Sequence, residues 1–390
     1  MHDILSDRSK KIQPSATLAL TAKSAELKAA GRDIVSLNAG EPDFDTPDVI
    51  KQAAIEAIQK GQTKYTPIEG TLALRTAISK KLARDNQLQY SPAHIIASNG
   101  AKQSIYNALL ATINPGDEVI IPSPYWVSYP DMVRLADGVP VIITTSIDEH
   151  FKMSASQLEA AITPKTKMVL LNSPSNPTGK TYSRAELIAL GRVLNKYPDV
   201  LILSDDIYEH VYWADEPFAN IAMVCPELQD RTLVVNGVSK SYAMTGWRIG
   251  YLAAHPSIIE VAKNIQGQST SCPCSISQAA ATAALSAEYD VLIRSMADIF
   301  RQRHNFMYES LAVIPGVKIL PAEGAFYAFP DISQIMKDDI EFAKQLMEKT
   351  GLILTPGTPF GAPGCIRFSY AASMAELEDA MQRFQGFCRA

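Results

Sequence analysis

The chain reads as an α/β protein with a mostly parallel central sheet, helices on both faces, and a smaller α+β domain. Three patterns predict this. Short β-branched runs bounded by Gly, Pro, Asn or Asp recur between residues 48 and 290. Segments long enough for crossover helices separate several of them, and strand–helix alternation of that kind implies parallel pairing. After residue 290 the character changes to one long amphipathic stretch followed by brief strand-like pieces.

Taken in order, residues 1–45 have weak periodicity, and LNAGEPDFDTP (37–47) is rich in turn residues and reads as a loop. The apolar runs follow: HIIAS (94–98), EVIIP (118–122), PVIIT (140–144), KMVLL (167–171), VLILS (200–204), TLVVN (232–236) and IGYLA (249–253). Runs so short and so apolar suit strands buried on both faces. Ser183 followed by Glu186 is a capping-box signature for a helix start, and Ser373 with Glu376 is a second. Residues 291–313 carry a helical period, and GAFYAFP and CIRFSYA read as short strands. The division expected is a large domain over 48–290 and a small one from 1–47 with 291–390.

Composition excludes several classes. At 390 residues, 47% hydrophobic and 20% charged, the chain can bury a large core without disulfides. A net charge of −5 and the lack of a dense basic run argue against nucleic acid as a partner. The five cysteines (225, 272, 274, 365 and 388) show no metal-ligand spacing, so no metal site is expected and reduced thiols suffice. MHDILSDRSKK lacks the apolar core of a signal peptide, and charges or turn residues interrupt every apolar run. A cytoplasmic protein is expected.

In an open parallel sheet, ligands gather beyond the carboxyl ends of the strands. Four such ends here carry unusual residues. NGAKQ after the first run offers a glycine turn opening a helix, whose free N–H groups suit a phosphate. NSPSNPTG (172–179) is a proline-stiffened turn that aims Asn176. Asp205 directly follows a buried strand, a costly place for an acid unless a cation or donor meets it. GVSKSYAMTGWRIG (237–250) places Lys240 in small, apolar surroundings with Arg248 near in sequence. Desolvation and a neighbouring guanidinium would both depress the lysine's pKa and favour the nucleophilic amine. Each signal has an ordinary structural explanation on its own: a turn, a helix cap, a solvated lysine. Together they place a phosphate cradle, an amide, a carboxylate and a lysine along one edge, the set that pyridoxal 5'-phosphate (PLP) asks for.

With AGEPDFDTP (39–47), KYTPIEG (64–70), SPYWVSYP (123–130), NSPSNPTGK (172–180), SDDIYEH (204–210), SKSYAMTGWRIG (239–250), EGAFY (323–327) and CIRFSYA (365–371), the chain resembles class I aminotransferases over nearly its whole length. It is most similar to bacterial aspartate aminotransferases of subgroup Ib. The resemblance implies the PLP-dependent transferase fold type I, PLP as cofactor, and Lys240 as the catalytic Schiff-base lysine. It makes Asp205 the partner of the pyridine nitrogen, Asn176 and Tyr208 the donors to the ring oxygen, and Trp126 the stacking aromatic. Gly100, Ala101, Lys102 and Arg248 match phosphate-binding positions. Tyr65 resembles the tyrosine that reaches the neighbouring subunit's phosphate, implying a homodimer with shared active sites. For the substrate, the resemblance implies Arg367 at the α-carboxylate, Gly40 as the substrate-contacting glycine of a mobile N-terminal loop, and Trp126 and Asn176 as further substrate contacts. Lys102 and Thr17 stand where the subgroup reads a second carboxylate. Dicarboxylic amino acids and 2-oxo acids are the implied substrates, aspartate and 2-oxoglutarate first.

There are departures. Relatives that also transaminate prephenate carry a lysine where this chain has Gln13, which argues against that activity. Many cousins have a phosphate-binding serine where Gly237 stands, and Asp206 replaces a commoner glutamate. Other donors (alanine, an aromatic amino acid, kynurenine) and a PLP-dependent C–S β-lyase share the same motifs. The aminotransferase-like module of some transcription regulators comes with a fused DNA-binding domain, for which there is no room before the first cofactor motif.

Overall fold

The computed structural model describes residues 4–12, 14, 16–286 and 290–389. Gln13 lies outside them, and for Thr17 only its place in the helix Ala16–Ala29 is defined. The first strand, β1 (Val35–Ser36), precedes a seven-stranded sheet made of β2 (Ile95–Ser98), β3 (Glu118–Ser123), β4 (Val139–Thr144), β5 (Thr166–Asn172), β6 (Leu201–Asp205), β7 (Thr232–Gly237) and β8 (Gly250–Ala253). The order across that sheet is β2-β8-β7-β6-β5-β3-β4. All seven apolar runs are strands, within a residue or two at each end. Helices cover both faces, so β2, β7 and β8 are buried at every residue. Cluster formation follows the pleat: Ile95, Ala97 and Tyr251 pack with Leu74, Ile78 and Leu82 on one side, and Ile96, Leu252 and Val235 with Ile105 and Leu109 on the other.

Only β8 runs against its neighbours, pairing antiparallel with both β2 and β7. Its register sets Ser98 opposite Gly250 and Gly237 opposite Gly250. The start of β8 therefore lies where β2 and β7 end, on the carboxyl edge of the sheet. An antiparallel edge of this kind is common in mixed sheets.

Beyond the sheet lie β9 (Tyr327–Ala328), β10 (Leu352–Ile353), β11 (Thr355–Pro356) and β12 (Ile366–Ser369). β12 sits between β11 and β9, and β10 takes up β1 in parallel, which ties the N-terminal segment to the C-terminal one. The helix Asp290–Ala312 fills the long amphipathic stretch. Both capping boxes form: Ser183 with Glu186, and Ser373 with Glu376. Phe300, Phe326, Phe342, Phe368 and Phe384 form the apolar centre of this region, and Ile207, Tyr208 and Val211 from the loop after β6 join the same cluster. That loop thus spans from the sheet edge into the second core. Among the described residues no helix is long and apolar enough to cross a membrane, and no group of side chains could hold a metal.

Candidate active site

Parallel pairing puts Asn172, at the end of β5, opposite Asp205, at the end of β6. The Asn172 amide donates to the Asp205 carbonyl (2.9 Å), and its oxygen accepts from the Asn176 N–H (3.0 Å). The proline turn is thereby fixed to the strand that carries the acid. Asp205 is buried, and its carboxylate accepts from the Tyr129 hydroxyl (2.6 Å) and from the Ile207 N–H (3.2 Å). Burial pushes its pKa up to about 6, against the pull of those two donors and of Lys240. A carboxyl this desolvated would be held ionised by a cationic ring nitrogen.

Lys240 follows β7 by three residues, one strand over from Asp205. Its ammonium donates to the Gly40 carbonyl and lies 5.9 Å from the centre of the Phe326 ring. Desolvation brings its pKa down to about 8; Arg248 and Arg367 add to that, while Glu41 and Asp205 oppose it. The two groups that the chemistry needs together stand at and just beyond the ends of adjacent strands, within reach of each other's charge.

Gly100 caps the helix Ala101–Thr112 with φ at 87° and no side-chain cap. Its positive φ favours glycine, and a Cβ there would run into the Arg248 guanidinium. Arg248 itself is left-handed (φ 55°), donates to the Thr245 carbonyl (2.9 Å) and the Asn99 carbonyl (3.3 Å), and is exposed. A guanidinium, a cap without a side chain and the positive end of a twelve-residue helix make an anion cradle. The antiparallel β8 is what brings Arg248 there. Lys102, in the first turn, lies 4.7 Å over the Trp126 ring, and burial with the nearby Arg248 lowers its pKa. Trp126 in turn meets Tyr129 edge-on at 5.3 Å.

On the opposite wall, β12 carries Arg367, only 1% exposed. It donates to Asn176 Oδ1 (2.9 Å) and to the Asn38 carbonyl (2.7 Å), and stacks over Tyr327 (4.5 Å) and Phe360 (5.0 Å). Its Nε has no partner, a buried donor in wait for an acceptor. Tyr208 and Tyr327 share a hydroxyl–hydroxyl bond of 2.9 Å. Gly40 lies against the same wall: a Cβ built on it would sit 3.4 Å from the Tyr327 hydroxyl, in ordinary van der Waals contact.

Of the residues singled out from sequence, Gly40, Asn176, Asp205, Tyr208, Lys240 and Arg367 converge, with Gly100, Ala101, Lys102, Trp126 and Arg248 along the neighbouring edge. Tyr65 does not: it is 92% exposed. Sequence reasoning missed Tyr129, Tyr327, Asn38 and Asn172, whose signals are a tyrosine in SPYWVSYP, one in EGAFY, and asparagines at loop and strand ends. Gly237 now has a physical explanation: a Cβ would lie 2.9 Å from the Ile249 carbonyl and 3.0 Å from the Gly250 Cα, so a serine does not fit between β7 and β8.

The family model for class I and II aminotransferases matches residues 32–384. The chain belongs to that family. A protein of Nitrosomonas europaea named aspartate/prephenate aminotransferase is 52% identical, covering 97% of this chain and 98% of that protein. The aspartate aminotransferase of Geobacillus stearothermophilus is 47% identical, over 99% of each. Among solved structures, an aspartate aminotransferase from Rhizobium meliloti superposes with a TM-score of 0.96 at 42% identity, covering 99% of both chains. One from Thermus thermophilus with maleate gives 0.94 at 41%, covering 99% of this chain and all of that one. The fold is therefore that of the fold-type I transferases, and the cofactor of these aminotransferases is PLP. The donor set fits it: an anion cradle for the phosphate, an acid raised by burial for the ring nitrogen, and an amine depressed to about 8 for the aldehyde.

Proposed function

We propose that this aminotransferase moves the amino group of L-aspartate to 2-oxoglutarate, giving oxaloacetate and L-glutamate. The observation that carries the reading is a buried Arg367, whose Nε has no partner, together with Lys102, a second basic side chain, over Trp126. Two basic side chains among the residues of one site suit a substrate with two carboxylates. The relatives named for aspartate support the same reading.

When bound, PLP supplies an electron sink for the carbanion that forms at the substrate Cα. The chain's own groups do the rest. Arg367 offers Nη and Nε donors in a plane, so an α-carboxylate held there has its Cα orientation fixed as well as its charge matched. Lys240 Nζ, kept near pKa 8 by burial, would take the proton from the substrate Cα and hold it for return. A pKa close to working pH lets one group serve as acid and base in turn. Asp205 keeps a proton on the ring nitrogen, and Tyr129 and the Ile207 N–H hold that carboxylate in place. Asn176, whose Oδ1 accepts from Arg367, and Tyr208 would be the donors to the ring oxygen. Gly100–Lys102 and Arg248 would hold the phosphate.

The assignment divides the chain into a large cofactor domain (48–290) and a small domain (1–47 and 291–390) that brings Arg367 and Gly40. Tyr65, 92% exposed, is read as a ligand for the phosphate of a second copy, which makes the enzyme a homodimer with shared sites. A soluble, cytoplasmic enzyme is the accompanying expectation. The test is turnover across a panel of amino donors with 2-oxoglutarate and PLP. Aspartate and glutamate should exceed alanine, phenylalanine and kynurenine; a negligible rate with aspartate ends the reading. The aspartate/prephenate name of a relative favours a second acceptor, prephenate. Gln13 argues against it, and the same assay with prephenate in place of 2-oxoglutarate decides.

A further inference from the structure

The loop after β1 that carries Asn38 and Gly40 is held from two sides. On the cofactor-lysine side, the Thr46 hydroxyl donates to the Ala243 carbonyl (2.6 Å) and accepts from Trp247 Nε1 (3.0 Å), and Thr245 donates to Glu41 (2.8 Å). On the other side stands Arg303, from the helix Asp290–Ala312, only 8% exposed. Its Nη1 and Nη2 bind the two oxygens of Asp43 at 2.6 and 2.8 Å. The guanidinium lies 5.3 Å from the Phe44 ring and 5.7 Å from Phe300, and those rings meet edge-on at 5.3 Å. Nη1 also lies 3.5 Å from the carbonyl of Tyr370, three residues past Arg367. Two parallel bonds and an aromatic slot leave the pair little freedom to rotate.

We propose that Arg303, through Asp43, is a positioning residue for substrate binding. It sets the loop on which the Asn38 carbonyl and Gly40 depend, and the Asn38 carbonyl holds one arm of Arg367 at 2.7 Å. The Leu37 carbonyl accepts from Ser369 N–H (2.7 Å), so the loop and β12 share a register that the Arg303 clasp closes from behind. Loss of the clasp frees the loop and lets the Arg367 fork and Gly40 drift apart. Ångström-scale misplacement of a carboxylate clamp weakens binding without touching the reacting atoms. Asp205, at the end of β6, and the Gly100–Ala101 turn after β2 are anchored on the sheet and stay as they are. Lys240, although its ammonium reaches the Gly40 carbonyl, is carried by its own segment after β7, which the Thr46 bonds to Ala243 and Trp247 still hold when the clasp is lost. The inference rests on the reading of Arg367 and Gly40 as the α-carboxylate site.

Arg303→Met keeps a long side chain in the aromatic slot and leaves Asp43, 29% exposed, able to be hydrated, so no buried charge is stranded. Asp43→Asn keeps the shape of the carboxylate but leaves the buried Arg303 charge uncompensated, so the Tm comparison rests on Arg303→Met. Asp43→Glu offers a conservative rescue. The experiment measures, on each holoenzyme and on Arg367→Ala, the Kd of the unreactive dicarboxylate maleate, kcat and KM for aspartate, PLP retention and Tm. In Arg303→Met and Asp43→Asn, maleate Kd and aspartate KM should rise about tenfold, the size expected for one charge-assisted contact. There kcat and PLP retention should stay within about twofold, and Asp43→Glu should restore part of the affinity. The proposal is overturned if affinity stays within twofold, or if PLP retention and Tm fall in step with affinity, as a purely structural role would have it. Should Arg367→Ala itself leave maleate binding unchanged, the site reading fails and the inference with it. If Arg367→Ala weakens binding and the Arg303 variants do not, the inference alone fails.

Discussion

Tyr129→Phe removes one atom from the site, and its consequence can be worked through. The hydroxyl donates a 2.6 Å bond to a buried carboxylate. Hydrogen bonds to charged groups contribute about 1.5–3 kcal/mol, and the phenyl ring leaves the packing against Trp126 in place. At about 1.4 kcal/mol per pKa unit, the loss raises Asp205 by roughly one to two units. Its carboxyl already stands at about 6, above the ordinary 3.8, because burial disfavours the anion. The native apo-protein therefore binds this proton more tightly than the unfolded chain does. Its stability falls as pH rises from the ordinary carboxylate range through 6, by roughly 3 kcal/mol in all for the parent. In Tyr129→Phe the fall continues to about pH 7–8. The anion that the ring nitrogen needs then costs more to form at neutral pH. PLP should bind the apo-variant about tenfold more weakly at pH 7, with most of the deficit recovered at pH 9. Fluorescence titration of apo-protein with PLP from pH 6 to 9, beside Tm over the same range, measures both. A variant whose PLP affinity and Tm follow the parent's pH profile would falsify the assignment of Tyr129 and Asp205.

Three other outcomes are expected. Arg367→Ala should raise KM for all amino donors alike by about a hundredfold, since truncating one partner of a buried charge pair costs 2–5 kcal/mol; donor-dependent losses contradict its role at the α-carboxylate. Lys102→Ala should impair aspartate and glutamate more than alanine, and an equal loss across both classes, measured as kcat/KM, removes Lys102 from specificity. Gly237→Ser should lower Tm by several degrees, because an added Cβ meets the Ile249 carbonyl at 2.9 Å; an unchanged melting curve shows that β7 and β8 can part there without cost.

Much of this architecture was legible because burial leaves a plain mark. Six of the seven apolar runs are strands largely buried between the helices. The seventh, β4 (PVIIT), is an edge strand with Val139 and Ile142 exposed, contrary to the expectation of burial on both faces. Both capping boxes are local signals that need no tertiary context. Strand direction is another matter. Nothing in IGYLA distinguishes antiparallel β8 from its parallel neighbours, yet that reversal brings Arg248 to Gly100. The chemistry of Lys240 and Asp205 could be inferred from polar residues at the ends of apolar runs. Tyr129 could not: it lies 76 residues from Asp205 in sequence, and a tyrosine before a proline reads as core. Tyr327 and Arg367 meet only because β9 and β12 pair, a register that two-residue strands do not announce. The Arg303–Asp43 clasp, 260 residues apart, is of the same kind.

The central claim is that Lys240 is the amine that holds the cofactor. Reduction of the PLP-loaded enzyme with borohydride fixes any lysine–cofactor link, and peptide mapping by mass spectrometry then locates it. A pyridoxyl group on the peptide containing Lys240, and its loss in Lys240→Ala, is the predicted result. A label on Lys102 or any other lysine, with Lys240 unmodified, contradicts the account.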